Sequence, residues 1–320
     1  MKCSAVKATL VVWLLSVGSA SAFPDRPVRI IVPFAPGGVT DLAARFIGQQ
    51  LSSRWGQSVI IENRTGGGGM VGVDAGIRAE PDGHTLLMAT NGELVVRPAI
   101  SAKLLFNPDS LMPIAMVAST PYLWAAHKSS GFNTLQDLVA AAKASPGHLT
   151  YSSAGYGSTM HMASEQFAAA AGIKMLHVPY RGGAPAATAV VAGEVKVGLV
   201  GTNSISTVKD SGTTTLLATT SLARVKAAPD VPTITETGVV GNFEASVWAG
   251  LFAPLGTPAA IISKIQADVA SAIKDPALIK NFDTMGMDPI NSIGAAMAQR
   301  IKSEVEVMSK IGKTSNITLE

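Results

Sequence analysis

The segment Pro33-Phe34-Ala35-Pro36-Gly37-Gly38-Val39-Thr40-Asp41 limits the choice of fold more than any other, because it joins the apolar run Val28 to Val32 to a helical pattern, Leu42 to Leu51. Strand, tight glycine turn and helix start follow within a few residues. Two adjacent glycines let backbone approach a ligand closely, and the first amides of a new helix have no intrahelical acceptor. That combination is a cradle for a carboxylate or phosphate. It is not the arrangement of a catalytic triad.

The residues before it read as an export leader. Lys2 and Lys7 form a positive start, Ala8 to Val17 is apolar, and Ala20-Ser21-Ala22 has the small-x-small form of a cleavage site. The mature chain is therefore expected to begin near Phe23, with residues 1–22 as signal peptide and the periplasm as destination. The apolar run is short of the ~20 residues a membrane span needs. Removing the leader takes two Lys from 25 Lys+Arg and no acids from 22 Asp+Glu, so the net charge falls from +3 to 23 − 22 = +1. The balance gives no argument for nucleic acid. The one cysteine, Cys3, lies in the leader, which excludes disulfides and thiol chemistry from the mature part.

Beyond the leader the pattern alternates. Val28 to Val32, Ser58 to Ile61 and Thr85 to Ala89 read as strands, separated by helical patterns at Leu42 to Trp55 and Val71 to Ala79. A second series runs from Tyr122 to Ala126 through a helix at Thr134 to Ala144, with Thr134 as N-cap, to strands at Leu149 to Ser152, Met175 to Val178, Val195 to Val200 and Thr215 to Thr219. Helices are expected between them at Met160 to Ala170 and Ala184 to Ala192. Ser246 to Phe252 then leads to helices at Ala259 to Ile273, Pro276 to Met285 and Ala295 to Ile311, which are expected to return to the first unit. A mature chain of this length exceeds the size at which single cores stop growing, so two lobes are expected, crossed and recrossed by the chain.

The second series carries its own version of the opening turn, Tyr151-Ser152-Ser153-Ala154-Gly155-Tyr156-Gly157-Ser158-Thr159-Met160-His161. Its hydroxyls and amides are the inventory for holding a carboxylate. In open α/β sheets such turns lie beyond the carboxyl ends of strands, where ligands bind. Taken singly, each turn reads as an ordinary helix cap; paired in an exported two-lobed chain, they point to a ligand gripped from both sides.

An ordered series of motifs now becomes specific: Phe23 to Pro27, Pro33 to Asp41, Glu62-Asn63-Arg64 with the following glycines, Pro81 to Leu87, Tyr151 to His161, His177 to Pro185, Pro229 to Thr233 and Trp248 to Pro258. With this series the chain resembles the Bug family, the extracytoplasmic solute receptors of tripartite tricarboxylate transporters. The resemblance implies a type II periplasmic-binding-protein fold, α/β, with each lobe a mixed, mostly parallel sheet flanked by helices and a hinge between. It implies lobes at 23–121 with 249–320 and at 122–248, closing on a small carboxylated solute, as a monomer, without cofactor, metal or reaction. Two integral membrane transporter subunits are the implied partners; a sensor protein is the alternative. The implied contacts are Phe34, Ala35, Pro36, Gly37, Gly38, Thr40 and Asp41; Thr90 and Asn91; Ser152, Ser153, Ala154, Gly155, Gly157, Ser158 and His161; Arg181; and Gly201 with Thr202. His161 is a ligand contact in this reading, not an acid or base. Asp41 has a second role open to it, complementing the helix N-terminus. Arg181 faces either ligand or surface.

Two departures matter. The family often has Thr-His-Ala-Ile-Asn-Pro where this chain has Glu93-Leu94-Val95-Val96-Arg97-Pro98, and Asp-Asn-x-Pro-Ser where Val200-Gly201-Thr202-Asn203-Ser204 stand. The missing acid in the second loop favours a ligand without an ammonium group: a di-, tri- or aromatic carboxylate. Glu93 reads as a solvated loop residue, with a cation as its alternative partner. Arg97 reads as a surface arginine, with a second carboxylate as its alternative. Finally, Gly67-Gly68-Gly69-Met70-Val71-Gly72 formally satisfies the dinucleotide-binding glycine pattern. An exported NAD-dependent enzyme is thus the distant alternative, though Glu80 and Asp82 follow too soon to hold a ribose.

Overall fold

The computed structural model describes residues 23–104 and 106–314, so the expected signal peptide lies outside the described residues. The first sheet is built on β1 (Val28–Val32), β2 (Val59–Asn63) and β3 (Thr85–Thr90), which pair in parallel around β1. The connections are α1 (Val39–Trp55) and α2 (Met70–Ile77). Alternation along β1 divides its side chains between two layers. Val28, Ile30 and Val32 pack with Ala43, Ala44, Ile47 and Leu51 of α1, whereas Ile31 on the other face joins Val73 of α2. The strand is apolar on both faces from Ile30 to Val32, and Arg29 near its start reaches the surface to pair with Glu62.

A single strand of 17 residues, β4 (Leu111–His127), runs through both lobes. Its first part pairs antiparallel with β9 (Ser246–Pro254) and β10 (Asp288–Ile293) in the first lobe. From Tyr122 onward it pairs with β7 (Val197–Gly201) and β8 (Thr214–Thr219) in the second. There β5 (Thr150–Ser153) lies parallel to both β6 (Leu176–Pro179) and β7. Pro121, which cannot donate to a ladder, stands where β4 changes partners. The sheets are therefore mixed. Parallel pairing holds their outer strands, and the crossing strands β4 and β9 run antiparallel through the middle.

Between β3 and β4 the chain forms a wide helical turn, Gly92–Val96, that continues into α3 (Arg97–Ile100). The second lobe's helices are α4 (Leu135–Ala144), α5 (Thr159–Ala171), α6 (Gly183–Ala192) and α7 (Ile205–Asp210). Thr134 caps α4 as expected: it accepts from Asp137 N, and the Asp137 carboxylate returns to the Thr134 amide. Trp124 and Phe167 fill this lobe's core, with Phe243 edge-on to Phe167. The returning helices are α8 (Ala259–Ala272), α9 (Pro276–Thr284) and α10 (Ala295–Thr314). Ile262, Ile265 and Val269 of α8 and Leu278 and Phe282 of α9 pack into the core of the first sheet, as expected.

Candidate functional site

The opening turn folds as the glycines dictate. Gly37 takes a positive φ of 85°, and Gly38 is the N-cap of α1 with no side chain to cap it. The first amides of α1 are thus left without a side-chain partner. Beneath them Asp41, 1% exposed, accepts from Gly37 N at 2.9 Å and from Asn63 Nδ2 at 2.9 Å, and pairs with both Nε and Nη2 of Arg45. Burial works to raise its pKa, but Arg45, the Gly37 amide and Asn63 together hold it below the ordinary carboxylate value. Asp41 braces the turn from below and complements the helix N-terminus, the second of the two roles open to it.

The second lobe repeats the construction. Gly155 and Gly157 have positive φ, and Ser158 caps α5 by accepting from His161 N at 3.3 Å. Ser152 Oγ donates to Ala186 O, and Ser153 Oγ accepts from Gly155 N and lies 2.6 Å from His177 Nε2. Both hydroxyls thus serve the lobe's own framework. His161 lies behind the turn, its Nδ1 accepting from Gly157 N and its ring stacked on His177 at 4.0 Å. Burial lowers both pKa values, to about 3 for His161 and about 4 for His177, so the stacked pair is neutral.

The two turns meet face to face. Ala35 N donates to Arg181 O at 3.0 Å, Asn203 Nδ2 to Gly37 O at 2.9 Å, and Thr159 Oγ1 to Asn91 Oδ1 at 3.1 Å. These bonds join first-lobe to second-lobe residues, so the lobes are closed. Between them lies a cavity of about 40 Å³. Of the expected contacts, Phe34, Gly38, Thr40, Thr90, Ala154, Ser158 and Gly201 line it. Ala35, Pro36, Gly37, Asn91, Gly155 and Gly157 stand outside this lining, in the turns and interlobe seam around it. Arg181 turns its side chain to solvent. Thr202 is engaged at the hinge, with its Oγ1 2.5 Å from Thr120 Oγ1 and donating to Gly286 O at 2.7 Å.

The cavity is also lined by Val39, Gly183, Asn203 and Ser204, which lie within the expected ligand turns and loop without being singled out, and by Tyr122, Thr159, Met160 and Val247, which sequence reasoning left out of the site. Thr159 was signalled by its place just after the N-cap. Tyr122 and Val247 arrive from crossing strands that no local motif marks. Tyr122 is fully buried, and burial followed by the Glu93 charge raises its pKa, so it is a neutral phenol at the cavity wall. None of the lining side chains is Asp, Glu, Lys, Arg or His. The N-termini of α1, α5 and α6 converge on this cavity through Gly38 and Val39, Ser158 and Thr159, and Gly183. Each contributes up to about half a positive charge in partial form.

Glu93 and Arg97 are not the solvated residues expected. Glu93 is 0% and Arg97 8% exposed. The intervening Leu94-Val95-Val96 enters the core with Trp248 and Met297 on one side and Met162 on the other, and winding that run inward carries both charges under the surface. Glu93 accepts from Thr90 N and Oγ1 at 2.7 and 2.8 Å. Burial pushes its pKa up to about 7 against those bonds and against Arg97.

The glycine run Gly66–Gly69 offers no open phosphate cradle either. A Cβ on Gly68 would fall 1.9 Å from Tyr156 O, so second-lobe backbone already fills the space. Among the described residues no group of three or more His, Cys, Asp or Glu could hold a metal ion, and no helix is long and apolar enough to cross a membrane.

Comparison with known proteins shows the family and the fold. The profile of the tripartite tricarboxylate transporter family receptor matches residues 43–317. A UPF0065 protein from the tcbD-tcbE intergenic region of Pseudomonas sp. (strain P51) is 36% identical over 291 residues, 91% of this chain and 86% of that protein. Among solved structures, an R. palustris protein with adipate superposes with a TM-score of 0.87 at 29% identity, covering 92% of this chain and 99% of the other. MatC from Rhodopseudomonas palustris with bound malate gives 0.84 at 29% identity, covering 90% and 99%. The chain belongs to the tripartite tricarboxylate transporter receptor family, whose members are periplasmic solute-binding proteins.

Proposed function

We propose that the chain captures a small carboxylate between its lobes and delivers it to the two membrane subunits of a tripartite transporter. The observation that carries this reading is the convergence of three helix N-termini, from both lobes, on one interlobe cavity lined by no ionised side chain. Free amides and hydroxyls stabilise an anion there, and no acid lines the cavity. The cavity equally lacks an acid to meet an ammonium group, which favours simple carboxylates over amino acids. The adipate and malate of the two solved relatives are of that class.

Capture works by population shift. Open lobes sample closure, and an anion touching both cradles adds contacts only in the closed form. Lobes at 23–121 with 249–320 and at 122–248 are supported by two crossings. Strand β4 changes partners after Pro121, and Val247 packs in the second lobe's core while Trp248, the last residue of the expected second lobe, already packs in the first.

A thermal-shift screen of residues 23–320 against mono-, di-, tri- and aromatic carboxylates, amino acids and NAD tests the reading. Stabilisation by carboxylates supports it. Stabilisation by amino acids or NAD alone overturns it.

A further inference from the structure

The cavity leaves two buried charged residues and one glycine run without a role. Arg97 extends from the first lobe, and its Nη2 donates to two carbonyls: Gly67 O on its own side, at 2.9 Å, and Tyr156 O across the cleft. Around that fork the lobes touch backbone to backbone. A Cβ on Gly68 would lie 1.9 Å from Tyr156 O and 2.6 Å from Arg97 Nη2, and one on Gly155 would lie 3.0 Å from Gly68 Cα. Neither glycine can carry a side chain while the seam is shut.

This seam is separate from the cavity, since neither Arg97 nor Gly66–Gly69 lines it. Tyr156, however, sits in the turn that ends in Ser158, which does line it. A bond to the Tyr156 carbonyl therefore fixes the second lobe and its cradle together.

We propose that Arg97, with Glu93 as its buried counter-charge, is a positioning residue that latches the lobes shut through the glycine seam, independently of the ligand. A buried guanidinium is costly unless its donors are engaged and an opposite charge is near. The closed seam engages Nη2 through the Tyr156 carbonyl, while Nε stays buried without a hydrogen-bond partner. Glu93, held by Thr90 three residues earlier at the end of β3, supplies the opposite charge, which favours the ionised Arg97 against burial. Opening breaks the Tyr156 bond and leaves only the contact to Gly67. The closed form thus holds a charge-assisted hydrogen bond that the open form lacks, a difference that favours closure by about ten- to a hundred-fold. The chain's departure from the family pattern at positions 93 and 97 then has a physical meaning: it biases this receptor toward closure before ligand arrives.

The inference rests on the reading of two lobes that separate, so the experiment tests both. Spin labels on Arg54→Cys and Lys143→Cys, exposed positions on α1 and α4, report the interlobe distance by pulsed dipolar spectroscopy without ligand. The parent protein is expected to give mostly one short distance. Arg97→Met keeps the bulk and removes the donors. Arg97→Gln, too short to reach the Tyr156 carbonyl, serves if the methionine variant folds poorly. Each is expected to move at least half of the population to a longer distance, whereas Glu93→Gln moves less. A merely structural role for Arg97 would lower the melting temperature without changing the distance in the folded fraction. Ala184→Trp, a wedge where α6 meets Gly37, is the control for opening. If the wedge lengthens the distance and Arg97→Met and Arg97→Gln do not, the latch is wrong and the two-lobed reading stands. If none of the three does, both fail.

Discussion

Replacing Gly38 by Val tests the cavity without disturbing the fold around it. Gly38 has φ −78° and ψ 167°, extended backbone that valine adopts readily. A Cβ there meets Ala35 O and Gly183 N at 3.8 Å, ordinary contacts, so Gly38→Ala is expected to bind as the parent does. The two methyls of valine are another matter. A cavity of about 40 Å³ has room for roughly three water-sized occupants at 10–15 Å³ each. Two added carbons remove most of that room from one cradle. We expect affinity to fall at least a hundred-fold, about 2.7 kcal/mol, with unliganded stability changed by less than about 1 kcal/mol. At a ligand concentration of a hundred times the parent Kd, the parent is stabilised by about 2.7 kcal/mol and the variant by about 0.4 kcal/mol. In differential scanning fluorimetry a shift of roughly 4 °C should fall to less than about 1 °C. An unchanged shift for Gly38→Val in a folded protein would show that ligand binds elsewhere. Gly155→Val makes the contrast, because φ of 125° and a backbone atom at 3.0 Å penalise any side chain. It is expected to lose stability as well as binding.

Four further outcomes follow from the same contacts. Asp41→Asn removes the charge that braces the first turn. Because the folded pKa of Asp41 is depressed, its contribution is present above the unfolded value of about 3.9 and is lost as pH falls, so the variant should flatten that acid limb in urea titrations. For His161 and His177 the sign is opposite to that of a histidine gaining an acidic partner. Their folded pKa values, about 3 and 4, lie below the ordinary 6.5, so the unfolded chain takes up protons first and stability falls as pH drops from about 6.5 toward 4; replacing both by Phe should remove that slope. Glu93 adds a counter-trend, since its folded pKa of about 7 lies above the ordinary value and its contribution is lost as pH rises through 7; Glu93→Gln should level the stability profile between about pH 4.5 and 7. Thr202→Val removes the hydroxyl that lies against Thr120 Oγ1, Met285 O and Gly286 O at the hinge, and chemical denaturation should register a loss of about 1–3 kcal/mol.

How far the sequence speaks for the site depends on the range of the interactions involved. The turn from β1 into α1 was legible because its determinants are local: a valine-isoleucine run, two glycines and a helix pattern. Thr134 and Asp137 were legible for the same reason, three residues apart at one helix start. The first half of β4 was not, since Pro113 and Pro121 interrupt its pattern and pairing with β9, more than a hundred residues away, holds it in the sheet. Strand β10 also escaped, because Asp288-Pro289-Ile290-Asn291-Ser292-Ile293 is a polar, partly exposed segment paired along β4. In the site itself, sequence supplied the donors but not their directions. Ser152 and Ser153 read as ligand hydroxyls and are engaged by Ala186 and Gly155 of their own lobe. Glu93 and Arg97 read as surface charges because the carbonyl that holds Arg97 across the cleft, Tyr156 O, lies 59 residues away.

The central claim is that helix N-termini from both lobes hold a carboxylate. A crystal structure of residues 23–320 with the carboxylate that gives the largest thermal shift tests it most directly. The account predicts one carboxylate group between the lobes, its oxygens bonded directly or through one water to the first amides of α1 and α5, with Tyr122 and Ser158 against it. A carboxylate seated outside that cavity, or one held by Arg or Lys side chains in place of those amides, would contradict it.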